Sequence, residues 1–317
     1  MRRYWMGAAA AALCALTTSA AQAAILYSND FNADTTANWT VNDPALSDKI
    51  ADFYYDYSAI GVPAAPGGAS TRGLKMTANN SGGVFSGFSV SPTGQTFTGN
   101  YRISFNIWQN YAGPLGPGGN GTTQLSTYGF GTDASTAFWP GAATKNNVGF
   151  ATTLDGESAN DYRIYSSAAP TSYASGNAVY NGATSNNNSN AYYAGFTAQS
   201  APAAQLLLYP GQTGSTNAGE TSFAWRKVVI DVENGQATWT IDNLVVGKLS
   251  LAGLTLSGGN IFFGHSDTNA TSSSDANDTL LNVTLIDNVE VSSIVPEPTG
   301  ALLAAVGALA LVVRRRK

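Results

Sequence analysis

Apolar and polar residues alternate in short runs between residues 24 and 294, and clusters of Gly, Ser, Asn and Pro separate the runs. Alternation with a period of two places apolar side chains on one face of a β-strand, and helical spacing of apolar residues is almost absent. The pattern predicts strands at residues 25–31, 72–78, 84–90, 101–108, 124–130, 147–152, 162–165, 205–209, 244–249, 260–264 and 280–291, with long loops at 114–121 and 174–190. Such a chain is typical of a single all-β domain, either a sandwich or a barrel.

The most specific local prediction is a β-hairpin centred on Asn234-Gly235, a dipeptide that favours a tight type I′ turn. With that turn, apolar residues face one another on one side of the hairpin and opposite charges meet on the other. The predicted cross-strand pairs are Val228 with Ile241, Ile230 with Trp239, and Lys227 with Asp242.

This stretch also carries a longer pattern. Its residues are Trp225, Val228, Ile230, Asn234-Gly235, Trp239, Ile241-Asp242-Asn243 and Val245-Val246-Gly247, with Asn243 in place of a usual turn glycine. The run resembles one found in concanavalin-A-like and laminin-G-like domains. The resemblance implies a jelly-roll sandwich of two antiparallel sheets, in which the strand at residues 285–291 returns beside the first strand. It says little about a ligand, because one fold hosts many functions.

The first 23 residues have the three parts of a secretory signal peptide. Arg2 and Arg3 form a basic start, residues 6–16 are apolar, and Ala21-Gln22-Ala23 has the small-x-small form of a cleavage site. We therefore expect an N-terminal signal helix, export through the Sec machinery, and cleavage after Ala23. The single cysteine, Cys14, would then be lost, which excludes a disulfide, a thiol nucleophile or a thiolate metal site.

The last residues carry a second transport signal, an apolar run at 300–313 that ends in four cations. A helix over residues 299–313 would be about 22 Å long, short of the roughly 30 Å hydrocarbon core, so it spans only with snorkelling side chains or a thinned bilayer. The cations favour a cytoplasmic C-terminus and place the body outside the cytoplasm. The alternative, a helix docked in a core, fits poorly because the run has no polar stripe.

Immediately before this run stand Val295, Pro296, Glu297 and Pro298, and after it come Arg314, Arg315, Arg316 and Lys317. The order closely resembles the PEP-CTERM sorting tail of exported Gram-negative proteins. The resemblance implies that an exosortase recognises the Pro-Glu-Pro motif and processes the tail, and that the basic end stops transfer. The expected organisation is a signal peptide at 1–23, a β-sandwich at 24–294, and a tail with a short transmembrane helix at 295–317. The body would be tethered to the inner membrane and reach the cell surface or the medium after processing.

Charge narrows the choice of partners. Six of the fifteen basic residues lie at the two ends, so the body has nine basic and nineteen acidic residues and a net charge near −10. Such a body lacks the basic footprint of a nucleic-acid binder. It also repels anionic lipid, so we expect only the tail to hold it to a membrane.

Candidate catalytic groups are few. A Ser-His-Asp site would need His265, the one histidine, but no G-x-S-x-G elbow is present, and a polar cap at a strand end is the simpler interpretation of this residue. Concanavalin-A-like glycosidases carry an E-x-D-x-x-E strand that this chain lacks. Neither Glu233 nor Glu290 has a second acid at i+2 or i+4 on its own strand face. A hydrolase is therefore disfavoured, although acids from separate strands could still meet.

Calcium is the expected ion if any ion binds, because exported jelly rolls often hold it with loop carboxylates and carbonyls. The candidate ligands are Asp267, Asp275 and Asp278, with Asp155, Glu157 and Asp161 as a second cluster. Neither set matches D-x-D-x-D-G, and a solvated acidic loop is the simpler alternative.

Aromatic residues concentrate beside Asp and Asn, which is how proteins commonly hold sugars: ring faces stack while polar groups bind hydroxyls. The alternative for each ring is an ordinary place in the core. The candidate carbohydrate-binding residues are Tyr54, Tyr55, Tyr57, Trp139, Tyr192 and Tyr193.

Three functions fit these observations. The first is a non-enzymatic, surface-sorted jelly roll that associates with extracellular polysaccharide or biofilm matrix. The second is a glycan-active hydrolase or lyase of the same fold. The third is a structural or adhesive matrix protein without a discrete ligand site, which predicts flat sheet faces without a cleft.

Overall fold

The computed structural model describes residues 23–43, 48–78, 86–110, 124–141, 146–154, 160–167, 172–267 and 277–295. Within this part of the chain, Ala24–Ile294 forms one compact unit. The predicted signal helix, the residues Pro296, Glu297 and Pro298, the tail helix and the basic end 314–317 all lie outside the described residues. No helix in the described ranges is long and apolar enough to cross a bilayer.

The described residues form fourteen strands and a few short helical segments. The strands are β1 (Ile25–Asn29), β2 (Trp39–Asn42), β3 (Ile50–Asp56), β4 (Arg72–Thr77), β5 (Ser86–Pro92), β6 (Tyr101–Gln109), β7 (Gln124–Thr132), β8 (Val148–Thr153), β9 (Tyr162–Tyr165), β10 (Arg226–Glu233), β11 (Gln236–Ile241), β12 (Leu244–Ser250), β13 (Asn260–Asp267) and β14 (Thr284–Ser293). The helices are α1 (Ala203–Leu208) and α2 (Asp278–Leu281), and single helical turns cover Thr36–Asn38, Tyr57–Ile60 and Ala191–Tyr193.

These strands make two antiparallel sheets. The larger sheet has eight strands in the order β12-β11-β10-β6-β14-β4-β3, and β1 also pairs with β14. The smaller sheet has six strands in the order β2-β5-β13-β7-β8-β9. Apolar side chains from both sheets interdigitate in one core, which confirms the all-β, two-sheet jelly-roll-like sandwich.

The predicted hairpin is confirmed in its register. Val228 faces Ile241 and Ile230 faces Trp239, and all four side chains are buried in the core. The Asp242 amide donates to the Lys227 carbonyl at 2.9 Å, so these two residues are also opposite each other. Their side chains do not form the predicted ion pair, because the Asp242 carboxylate instead lies 3.1 Å from Arg226.

The predicted closing strand is confirmed as β14, which runs beside β1. Ser28 faces Glu290, and the Ala24 and Ser293 backbones are joined by a hydrogen bond of 2.8 Å from the Ser293 amide. The Ala24 amide also donates to Ser293 Oγ at 2.8 Å. The two ends of the compact unit are therefore adjacent to each other.

One predicted strand is wrong. Residues 205–209 belong to α1 and the residue after it, not to a strand. The segment lies on the outer face of the larger sheet, where Gln205 Nε2 donates to the Ile60 carbonyl at 2.8 Å. Together with the turn Tyr57–Ile60 it covers a second apolar cluster. The buried members of that cluster are Tyr57, Ile60, Val62, Trp108, Ala201, Phe223, Leu281, Val283 and Leu285.

The outer face of the smaller sheet is covered differently. Gly149 and Gly264 leave room for the segment that carries Phe138, whose ring would lie 2.4 Å from a Cβ at position 149. The Phe138 amide donates to Ser89 Oγ at 2.9 Å, and its ring packs on Phe262 at 4.6 Å between centroids. The described strand residues of this face are therefore small or buried, whereas polar side chains such as Lys227 are exposed on the outer face of the larger sheet.

Candidate functional site: a polar cleft on the eight-stranded sheet

A β-bulge in β14 organises the outer face of the larger sheet. Asp287 faces Asn106 and Glu290 faces Ser104, although three positions rather than two separate the two acids along the chain. The extra residue is accommodated at Asn288, whose φ is 51°. Because of the bulge, Asp287 and Glu290 point to the same side of the sheet.

This side of the sheet contains a cleft of about 510 Å³. Its polar floor consists of Ser104 and Asn106 from β6 and Lys227 from β10, and Asp242, Asn288 and Glu290 lie around it. Pro66 and Gly67 form one wall, and Asn106 Nδ2 holds that wall by donating to the Pro66 carbonyl at 2.9 Å. The cleft is therefore built from strands and from a loop fixed to them.

Trp225 is the aromatic residue of the cleft. Its indole nitrogen donates to the Pro63 carbonyl at 2.7 Å, which leaves the ring half-buried at the edge of the cleft. One side of the ring packs against Tyr57 and Trp108, with centroids at 5.2 and 5.9 Å. The indole is thus held rigidly by the apolar cluster beneath it, and its remaining surface lines the cleft.

Burial and neighbouring charges tune the ionisable groups here. Burial lowers the pKa of Lys227, and the nearby Glu290 carboxylate partly restores it. Burial raises the pKa of Asp287 to about 6, against hydrogen bonds from Tyr57 and the Asn288 amide that lower it. Asp287 is only 1 % exposed because the loop at Gly68 and the Tyr57 hydroxyl cover it, whereas Glu290 and Lys227 line the cleft.

A second cavity of about 820 Å³ lies along β1. It shares Asn288 and Glu290 with the cleft. Its other lining residues are Ile25, Tyr27, Ser28, Asn29, Asp30, Thr35, Ala37, Asn38, Thr93, Gln95 and Val289. The two cavities therefore meet over β14.

The aromatic residues proposed from the sequence are not brought together. Tyr54 and Tyr55 lie on β3, at one edge of the larger sheet, and each has a cation over its ring, Arg72 at 4.3 Å and Lys75 at 4.6 Å. Tyr192 donates to the Val245 carbonyl of β12, the opposite edge, about 29 Å away by strand spacing.

Two of the predicted sugar-binding aromatic residues are buried in the core, so those predictions are wrong, and a third residue lies away from the cleft. Tyr57 and Tyr193 are both 0 % exposed, so they are core rings and cannot stack on a ligand. Trp139 is half-buried and follows Phe138 on the other sheet. Trp225, quoted only for its place in the hairpin pattern, is the ring that lines the cleft. The sequence signal that could have identified Trp225 as a cleft residue is its position next to a polar strand face.

The predicted calcium ligands are not assembled among the described residues. Asp267 is not in a solvated loop: it is the last residue of β13 and is fully buried. Asp275, Asp155 and Glu157 lie outside the described residues, and the structure does not describe the Asp278 side chain. Asp161 is buried and accepts hydrogen bonds from Thr153 Oγ1 at 3.0 Å and from the Asn188 amide. No group of three acidic or histidine ligands occurs in the described ranges.

His265 is fully buried between the sheets, so the predicted polar cap at a strand end is wrong. A chain of hydrogen bonds leads to this histidine from Gln109. The Thr152 and Thr221 hydroxyls donate to Gln109 Oε1, and Gln109 Nε2 donates to Ser126 Oγ at 2.8 Å. Ser126 Oγ contacts Thr284 Oγ1, which contacts His265 Nδ1 at 2.9 Å, and His265 Nε2 contacts Gln124 Oε1 at 2.7 Å.

Because Gln124 Oε1 can only accept, His265 carries its proton on Nε2 and accepts from Thr284 at Nδ1. Burial lowers the pKa of His265 to about 3, so the ring is neutral at ordinary pH. This ordered chain of hydrogen bonds joins the two sheets and leaves no access for a substrate. His265 is therefore a structural residue.

Comparisons with known proteins do not extend what the structure itself shows. No family model matches the chain, and no curated protein matches it in sequence. One similar solved structure is a Bacillus subtilis protein of unknown function with a galectin-like fold, at 9 % identity over 85 % of this chain and 97 % of that chain, with a TM-score of 0.46.

Two further similar structures have names that mention sugars or calcium. A glycoside hydrolase family 16 endo-glucanase from Bacteroides ovatus has 15 % identity over 84 % of this chain and 100 % of its own, with a TM-score of 0.44. The calcium-bound exoplasmic/lumenal domain of VIP36 has 10 % identity over 85 % and 90 %, with a TM-score of 0.42. Identities this low say nothing about the ligand or the activity of this chain.

Proposed function

We propose that this protein is an exported, non-enzymatic β-sandwich that binds extracellular polysaccharide in the cleft beside Trp225. The observation that carries the proposal is one rigid indole at the edge of a cleft floored by Ser104, Asn106 and Lys227. A ring surface beside amide, hydroxyl and charged groups offers stacking to a sugar face and hydrogen bonds to its hydroxyls. A matrix protein without a ligand site does not require such a cleft.

We further propose that the signal peptide directs export and that an exosortase acts on the tail with Pro296, Glu297 and Pro298. The order of the terminal segments in the sequence supports this route to the inner membrane and then the cell surface or the medium. Mass spectrometry of the protein from its native host tests it. A mature chain that begins at Ala24 and lacks residues 314–317 supports the proposal, whereas retention of the apolar run and the basic end means a permanent anchor.

Glycan binding is tested with the purified body and an array of neutral and acidic polysaccharides, with and without calcium. Hits are then titrated by calorimetry. We expect Trp225→Ala to abolish measurable binding and Glu290→Gln to weaken it about tenfold, since each lost sugar contact to a charged group contributes about 1.5 kcal/mol. Because Trp225 also packs on Tyr57, its variant needs a thermal melt, and Glu290→Gln tests the cleft without altering side-chain size.

Arg102→Ala is the matched control, because Arg102 lies on the same sheet face but outside the cleft and is 52 % exposed in its ion pair with Asp231. It should bind like the unaltered protein. Flat responses across the array, or equal affinity of Glu290→Gln and the unaltered chain, would contradict the proposal.

A glycan-active enzyme is the second candidate, and one observation favours it: Asp287 and Glu290 share a sheet face, and the pKa of Asp287 is raised to about 6. Against it, Asp287 is only 1 % exposed and does not line the cleft. The other acid in the cleft, Asp242, is already engaged, because it accepts from the Lys227 amide at 2.8 Å and pairs with Arg226 at 3.1 Å. Release of reducing ends from bound polysaccharide, lost in Glu290→Gln, would support the enzyme instead.

A further inference from the structure

The cleft beside Trp225 and the cavity along β1 adjoin each other, because Asn288 and Glu290 line both, and together they are called the groove. The groove runs across the strands. It passes from Lys227 on β10, over β6 and β14, to Ser28 on β1, and then to Thr93 and Gln95 beyond the sheet edge. Three strand steps span about 14 Å, and the loop residues extend the groove further.

The arm of the groove along β1 differs in chemistry from the Trp225 arm. Its lining combines hydroxyl and amide side chains, among them Thr35, Asn38, Thr93 and Gln95, with the apolar Ile25, Ala37 and Val289, and its one described ring is the half-buried Tyr27. Such a surface can donate and accept hydrogen bonds along a polar chain but offers little apolar stacking. It suits sugar units that follow one already stacked on Trp225.

The charged residues that line the groove favour some classes of polysaccharide over others. The ionisable groups that line the two arms are Asp30, Asp242 and Glu290 against the single cation Lys227. Asp242 is offset by Arg226, which leaves the groove with a small excess of negative charge. Uronate or phosphate groups would meet like charges, which oppose binding, whereas neutral sugars meet no such repulsion.

We propose that the groove binds an internal stretch of a neutral polysaccharide chain, with one unit at Trp225 and successive units along β1, and not a single terminal sugar. This inference rests on the proposed glycan-binding function and specifies its ligand class. It predicts that affinity grows with chain length, because the β1 arm is reached only by longer ligands.

Calorimetry with cello-, laminari- and xylo-oligosaccharides of two to six units, and with oligogalacturonate as the acidic counterpart, tests it. For the series that binds, we expect affinity to rise at least tenfold from two to six units. The double variant Asn38→Ala/Gln95→Ala should lose this rise and retain the affinity for the shortest ligand. Thr98→Ala is the matched control, an exposed residue of the same loop that does not line the groove.

The outcomes separate the two proposals. Binding that is independent of length, or unaffected by the double variant, overturns the extended groove and leaves glycan binding at Trp225 intact. Preference for oligogalacturonate overturns the neutral ligand class. Absence of binding by every series at millimolar ligand contradicts the proposed function together with this inference.

Discussion

The Tyr57 hydroxyl lies 3.0 Å from Asp287 Oδ2, so a residue after β3 is joined to the bulge of β14 across 230 positions of sequence. The same hydroxyl accepts a hydrogen bond from the Ala65 amide at 3.1 Å and thereby holds the loop that forms the Pro66 wall. One phenol therefore joins the loop that forms the wall of the cleft to the buried acid of β14.

Asp287 should make stability fall as pH rises. Its pKa is raised to about 6 in the folded protein and is near 3.9 when unfolded, so the folded state holds the extra proton between these values. The free energy of unfolding should therefore decrease from pH 4 to pH 6, by about 2 kcal/mol from this residue, and level off above.

Asp287→Asn should flatten that decline, because the amide stays neutral and can still accept from Tyr57. Urea unfolding at half-unit pH steps measures it. An unchanged slope in the variant would mean that Asp287 titrates normally. Glu220, whose pKa burial raises to about 7, adds a decline of the same sign and remains in both proteins.

Tyr57→Phe should destabilise the protein by about 1–3 kcal/mol at pH 7, since it removes the partner of the Ala65 amide and the Tyr57 hydrogen bond to Asp287 Oδ2. The lost hydrogen bond lowers the pKa of Asp287 in the unaltered protein, so the variant should also move the pH-dependent decline to higher pH. A pure packing defect would lower stability equally at every pH.

His265 should act in the opposite direction. Its folded pKa of about 3 lies below the unfolded value of 6.5, so only the unfolded chain takes up a proton between these values. This contribution to stability is complete above pH 6.5 and falls by about 3 kcal/mol on acidification to pH 4. His265→Gln should remove that acid sensitivity while leaving glycan binding at pH 7 unchanged, as judged by unfolding curves and calorimetry.

Gly61 should tolerate no side chain. Its φ is 71°, and a Cβ would lie 2.2 Å from the Gln205 backbone nitrogen of α1. Gly61→Ala should therefore cost well over 2 kcal/mol, because strain and a backbone clash add. Gly94→Ala is the control, with φ of 70° and nothing within 4 Å, and should cost about 1 kcal/mol. Equal losses of unfolding free energy in the two variants would show that α1 can shift to accommodate the added methyl group at little cost.

The parts of the fold that could be predicted are those where two independent signals agree. The β10–β11 hairpin combined alternation with an Asn-Gly turn, and its register is as predicted. Residues 205–209 offered only a short apolar run, which fits a strand or a buried helix equally. Two alanines after Pro202 favour the helical turn that the structure shows.

The cleft could not be predicted for a different reason. Counting forward from Glu290 by two or four residues missed Asp287, which precedes Glu290 and shares its face at a spacing of three because of the bulge at Asn288. The strands at Trp39 and Ile50–Asp56 were likewise missed, and a register irregularity between Asp52 and Tyr55 breaks the alternation of the second. The pairing of strands in the folded protein determines where such irregularities occur, and the pattern of a single sequence does not reveal their positions.

The adjacency of Ala24 and Ser293 has a mechanical consequence. The chain that continues past Val295 is joined directly to β14, which lies inside the larger sheet with β6 on one side and β4 and β1 on the other. A pull on that end cannot peel one pair of strands at a time, because ladders on both flanks of β14 carry the load together. Force transmitted from a bound polymer to the C-terminal end would thus meet the sandwich at its most firmly held strand.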